Sequence, residues 1–117
     1  MAVVGIGVDV VDVDRFAAAL VRTPGFAARV LTAGEHSDRV RSMAARFAAK
    51  EALAKALGAP RGLRWHDAVV RNEPSGRPVL DVTGTVHDAC ERQGVGAVHL
   101  TMSHDGGLAV AMVVLES

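Results

Sequence analysis

A single cysteine, Cys90, serves the whole 117-residue chain, so no intrachain disulfide can form and a reducing cytoplasm is the expected compartment. Aromatic residues are almost as scarce: Phe16, Phe26, Phe47 and Trp65 are the four. Net charge is also missing, with 13 basic side chains against 13 acidic ones. That balance argues against a nucleic-acid binder working through bulk electrostatics. The longest apolar run, Leu108 to Leu115, is eight residues, far below the ~20 that cross a bilayer. The N-terminal stretch lacks a charged start and Asp9 interrupts it early, so neither a membrane span nor a secretion leader is expected. No repeat, linker or low-complexity tract divides the chain, and residues 1–117 read as one domain.

Small apolar residues fill the gap. Alanine occurs 20 times and valine 19, side chains that bury little area each, so oligomerisation would help such a domain. Lysine is confined to Lys50 and Lys55, against eleven arginines, and both lysines flank Glu51 in one segment.

Ala2 to Val8 reads as a strand, apolar on both faces and ending at Asp9. Asp12 is a candidate N-cap for a helix through Leu20, which Thr23-Pro24-Gly25 breaks. A short helix follows at about Phe26 to Leu31, then Thr32 and Glu35 at capping-box spacing. The longest helix spans about Asp38 to Leu57. Asp67 to Asn72 and Arg77 to Val82 form a hairpin, and a helix opens at Thr83 or Thr85 and stops at Gly94. Val95 to Met102 and Leu108 to Leu115 are the last strands, joined by a turn at Ser103 to Gly107. The order β-α-α-α-β-β-α-β-β gives an α+β domain with a largely antiparallel sheet against a long central helix.

A carboxylate after a run of small strand residues, Asp9, is partly buried and needs a cation or N–H donors; it could equally cap the next helix. Glu51 and Lys55 share a helix face at i,i+4. They are either an exposed ion pair or, joined by Asp9, a two-carboxylate site for Mg²⁺ with a lysine meeting phosphate. Ser103-His104-Asp105 are consecutive and cannot form a hydrolase triad; they are a polar turn tip or a histidine offered to a ligand. Gly76-Arg77-Pro78 is either a plain turn or a basic contact. Six arginines between Arg15 and Arg46 form a solvated face or a docking surface for an acidic partner. His87 and Cys90 lack further metal ligands, so Cys90 is expected in the core.

Taken in order, these residues resemble one family over nearly the whole chain. Gly5-Ile6-Gly7-Val8-Asp9-Val10 with Asp12 and Arg15, Leu31-Thr32-Ala33-Gly34-Glu35, Arg46-Phe47-Ala48-Ala49-Lys50-Glu51-Ala52 with Lys55, Gly76-Arg77-Pro78, and Ser103-His104 are similar to the motifs of the holo-(acyl-carrier-protein) synthases, the small 4′-phosphopantetheinyl transferases. The chain departs from them at Asp12, where Glu is common, and at Gly58-Ala59-Pro60, where Gly-Thr-Gly is usual.

The resemblance implies the 4′-phosphopantetheinyl transferase fold and transfer of the phosphopantetheine arm of coenzyme A to a serine of an apo acyl carrier protein, as in fatty-acid biosynthesis. Adenosine 3′,5′-bisphosphate is the second product. It further implies catalysis by Asp9, Glu51 and Lys55, with Mg²⁺ held by Asp9 and Glu51. Coenzyme A would be bound by Lys50, Gly76, Arg77, Pro78, Ser103 and His104, and the acidic carrier would dock on Arg15 and Arg22. A homotrimer with sites between subunits is implied, and no nucleic-acid or membrane partner. The rival reading is a non-catalytic trimeric module binding a nucleotide or carrier protein, which would have no need of Asp9, Glu51 and Lys55 together.

Overall fold

The computed structural model describes residues 1–117. Five strands, β1 (Val3–Asp12), β2 (Ala68–Asn72), β3 (Pro78–Val82), β4 (Ala97–Asp105) and β5 (Leu108–Glu116), combine with four helices, α1 (Val13–Arg22), α2 (Phe26–Val30), α3 (Val40–Ala56) and α4 (Gly84–Arg92). Two 3₁₀ turns, Ala33–Glu35 and Trp65–Asp67, lie before α3 and β2. The order is the expected one, but the strands form two sheets: three strands ordered β1-β5-β4, and the β2-β3 hairpin, all antiparallel.

The first strand does not stop at Asp9. It pairs with β5 through Asp9↔Ala111 and on to Asp12↔Leu108. An acidic residue reads as a strand end in one dimension; here alternation turns it toward α3, where a lysine receives it. Asp12 then caps α1, accepting a hydrogen bond from the Arg15 amide at 3.0 Å. β4 likewise outruns its expected end and carries Ser103 and His104 in register with Val110 and Ala109. The turn shrinks to Gly106-Gly107, whose φ values of 56° and 79° are the left-handed conformation a two-residue hairpin turn requires.

Only one face of β1 is buried within the chain. Gly5, Gly7, Asp9 and Val11 face α3, while Ile6, Val8 and Val10 are 61%, 53% and 55% exposed. Met112 and Leu108 of β5 extend that bare apolar patch. The inner face explains the glycines and alanines together. A Cβ on Gly7 would land on the Ala52 carbonyl oxygen and 2.7 Å from the Ala56 nitrogen; one on Gly5 would land on the Ala56 carbonyl. Helix α3 therefore lies against β1 almost backbone to backbone.

Ala44, Ala45, Ala48, Ala49, Ala52 and Ala56 are all buried, and α3 is enclosed around most of its circumference rather than along one stripe. On its far side it meets Ala68 and Val70 of β2, Leu80 of β3, and Val86 and Cys90 of α4. Burial pushes the Cys90 thiol pKa up, as fits the core residue expected from the sequence. The four aromatics form one cluster: Phe47 is 5.5 Å from Phe16, 5.7 Å from Phe26 and stacked 5.4 Å from Trp65. No helix is long and apolar enough to cross a membrane.

Candidate active site

The close seat of α3 on β1 brings Asp9 to the last two turns of the helix. Lys55 Nζ lies 2.9 Å from Asp9 Oδ1 and also donates to the Val8 carbonyl at 3.1 Å. The Asp9 side chain is only 15% exposed, that of Lys55 53%. Hydrogen bonding to Asp9 and its charge hold the Lys55 pKa above its ordinary value. Glu51, one turn before Lys55, is half-buried. Burial raises its pKa, the negative charge of Asp9 adds to the rise, and Lys55 partly opposes it. Two carboxylates thus share one lysine, and nothing in the chain hydrogen-bonds the Glu51 carboxylate.

This donor set fits a hard divalent cation. Paired carboxylates short of positive charge, with the remaining coordination positions open to solvent, match Mg²⁺ preferences. Glu51 borders two openings. One groove runs from Asp9 and Glu51 along α1 past Arg15 and Arg22, both exposed, to Phe26. The other cavity has Glu51 at its rim, Ala59, Pro60 and Leu63 of the following loop on one side, and Arg64 and Trp65 on the other.

The remaining expected site residues lie elsewhere. Ser103 and His104 line depressions with Arg41 and Arg46, whose linings include none of Asp9, Glu51 or Lys55. Gly76, Arg77 and Pro78 form the exposed turn into β3, held by the Asn72 side-chain amide donating to the Gly76 carbonyl at 3.0 Å. Asn72 also borders the Ser103–His104 depression, so these two groups share one end of the molecule.

Lys50 lines the same cavity as Glu51 but is turned inward. Expected to face coenzyme A, it is 3% exposed and donates to Glu35 Oε1 at 2.7 Å, the Val30 carbonyl at 2.8 Å and the Trp65 carbonyl at 3.1 Å. An ammonium has three donors, and all three are used inside the protein. Successive helix residues are rotated by about 100°, so the Lys50 ammonium turns into the core while Glu51 stays toward the opening. Burial is the main influence on Lys50 and lowers its pKa, against the opposing pull of Glu35.

Glu35 is the residue that sequence reasoning undervalued. Its capping box is real: Oε1 accepts from the Thr32 amide at 2.9 Å. The same carboxylate, fully buried, also receives Lys50 and, through Oε2, the Val70 amide at 2.8 Å. A scarce lysine fixed on a buried helix was the signal that an acid had to meet it.

Residues 5–113 match the 4′-phosphopantetheinyl transferase superfamily. The chain is 61% identical over its full length, and over the full length of the relative, to the holo-(acyl-carrier-protein) synthase of Frankia casuarinae. Among solved structures, it superimposes on the Helicobacter pylori holo-(acyl-carrier-protein) synthase in complex with coenzyme A with a TM-score of 0.84 and 29% identity, covering 95% of this chain and 99% of the other. The Bacillus anthracis holo-(acyl-carrier-protein) synthase in complex with coenzyme A (3′,5′-ADP) gives a TM-score of 0.80 and 35% identity, covering 100% and 99%.

Proposed function

The chain belongs to the holo-(acyl-carrier-protein) synthase family of 4′-phosphopantetheinyl transferases, and from that premise we propose that it moves the phosphopantetheine arm of coenzyme A onto a serine of an apo acyl carrier protein. The observation that carries this reading is the meeting of Asp9, Glu51 and Lys55, two under-neutralised carboxylates beside a lysine at the mouth of a groove.

The serine oxygen forms a new bond to the phosphorus that carries pantetheine. The bond from that phosphorus to the bridging oxygen breaks, and adenosine 3′,5′-bisphosphate leaves. Asp9 and Glu51 would hold Mg²⁺, which when bound supplies the positive charge that a pyrophosphate needs before a nucleophile can approach. The Glu51 carboxylate, half-buried and without a hydrogen-bond partner in the chain, or a water beside it, would take the proton from the serine. Lys55, half-exposed beside Asp9, keeps its charge and stabilises the leaving phosphate.

Two observations support a homotrimer with shared sites. The sheet face of Ile6, Val8, Val10 and Met112 is apolar and exposed in the single chain. Gly76-Arg77-Pro78 and Ser103-His104, the residues assigned to coenzyme A, sit apart from Glu51 in one subunit, so a neighbour's copy would complete the site. Arg15 and Arg22, in the groove that ends at Asp9, are the docking residues for the acidic carrier. A buried, unpaired Cys90 agrees with a cytoplasmic protein. The test is to incubate the chain with coenzyme A, Mg²⁺ and an apo carrier protein, and to read the carrier by intact mass. Addition of one phosphopantetheine supports the reading; an unchanged carrier mass, with coenzyme A still bound, would favour a binding module.

A further inference from the structure

The strongest feature outside the reactive carboxylates is the closed polar hub at Glu35. Its carboxylate gathers the Thr32 amide and hydroxyl, the Lys50 ammonium and the Val70 amide, at 2.7 to 3.1 Å. Lys50 adds the carbonyls of Val30 and Trp65, and Arg46, one turn earlier on α3, donates to the Glu35 carbonyl. The end of α2, the Ala33–Glu35 turn, α3, the Trp65–Asp67 turn and β2 are tied at one point. Glu35 and Lys50 are the only charged or polar residues that are buried, and no buried side-chain polar atom lacks a partner.

Stability alone does not account for this pair. Removing two charges from water costs about as much as their attraction returns, and an apolar pair of similar volume often does as well or better. Specification of one arrangement is the better explanation, because α3 needs it. Six of the nine buried residues of α3 are alanines, whose small side chains resist a change of rotation weakly; Met43, Leu53 and the Phe47 cluster are its larger apolar anchors, and Lys50 adds a directional one. Lys50 is the one buried polar side chain on that helix, and it is bonded to Glu51's own backbone neighbourhood by a single peptide. A rotation of about 100°, one residue's worth, would carry Glu51 away from Asp9. Lys50 also anchors the Trp65 carbonyl, while the Trp65 ring stacks on Phe47 and walls the cavity that Glu51 borders.

We propose that Glu35 is a positioning residue for the transfer reaction: through Lys50 it sets the rotation of α3 that directs Glu51 to Asp9 and fixes Trp65 as the opposite wall. The inference rests on the assignment of Asp9 and Glu51 as the reactive carboxylates.

The experiment compares the Glu35→Leu/Lys50→Met double variant, the charge-conserving Glu35→Asp and Asp9→Asn. Each is assayed for turnover and carrier KM, for Mn²⁺ binding to the free protein by electron paramagnetic resonance, and for emission of Trp65, the single tryptophan. The double variant should remain folded, lose about tenfold to a hundredfold in turnover with carrier KM unchanged, bind Mn²⁺ more weakly and shift the Trp65 emission. Glu35→Asp, one methylene shorter, should show the same pattern to a smaller degree, and it decides the matter if the double variant does not fold. Wild-type turnover, Mn²⁺ affinity and emission in folded Glu35→Asp, or in the folded double variant, would overturn the proposal. Asp9→Asn separates the two levels: full activity there refutes the site assignment, whereas an inactive Asp9→Asn beside a fully active hub variant refutes the hub alone.

Discussion

Two lysine–carboxylate groups lie on α3 five residues apart, and they differ in how completely charge is matched. Lys50 faces one carboxylate, Glu35, in a site that water does not reach, and every donor of the lysine has a partner. Lys55 faces two carboxylates, Asp9 and Glu51, at a groove mouth, and Glu51 has no hydrogen-bond partner in the chain. The saturated group has nothing left to offer a ligand and can only hold segments together. The unsaturated one lacks positive charge and has open coordination positions, which is where a cation and an anionic substrate have something to gain. One helix supplies both because adjacent residues on it point about 100° apart.

The largest contrast is expected on activity. Glu51→Gln or Asp9→Asn should lower turnover by orders of magnitude in the carrier-modification assay without loss of fold. Glu51→Gln should also leave the protein at least as stable as wild type in chelator. The sign follows from the raised pKa. Between the ordinary 4.5 and the raised value, the folded state holds more proton than the unfolded one, so this group's contribution falls as pH rises. Above that window a charged Glu51 opposes folding, and the amide removes the opposition. Thermal melts of the two proteins across that window should therefore diverge as pH increases, with wild type the lower.

Lys50→Met should behave in the opposite way, with its primary effect on stability. It strands the Glu35 charge in the interior, at a cost of about 3–5 kcal/mol by denaturant unfolding. A Lys50→Met protein as stable as wild type would mean that the closed group is not closed.

A charge on the bare sheet face, Val8→Glu or Met112→Glu, should shift the oligomer toward monomer by light scattering and lower activity in parallel, with Asp9, Glu51 and Lys55 untouched. A fully active monomer would place the whole site in one subunit. The smallest effect is expected on α1. Attraction between exposed charges is worth little per pair and is screened over about 8 Å at physiological ionic strength. Arg15→Glu with Arg22→Glu should raise carrier KM several-fold at low salt, less at high salt, and leave coenzyme A binding unchanged.

Most of the open group was legible in the sequence, since Glu51 and Lys55 announce themselves by i,i+4 spacing and Asp9 by interrupting an apolar strand. The closed group was legible only in part. The Thr32–Glu35 spacing showed its local hydrogen bonds, but Lys50 and Val70 lie 15 and 35 residues further on, and no periodicity carries a contact across such distances. The resemblance assigns Lys50 to coenzyme A, and nothing in the one-dimensional pattern shows that its ammonium meets Glu35. Strand ends were misplaced at Asp9 and Ser103 because polar residues within an alternating strand look like stops until the partner strand is known. The outer face of β1 is bare in the single chain, and valine on both faces does not say whether its cover comes from the same chain.

The most direct test is the intact mass of an apo carrier protein after incubation with coenzyme A and Mg²⁺, using wild type beside Asp9→Asn/Glu51→Gln. The account predicts that wild type adds one phosphopantetheine, that chelator stops it and restored Mg²⁺ revives it, and that the folded double variant leaves the carrier mass unchanged. A carrier modified by the double variant, or modified in excess chelator, would contradict it.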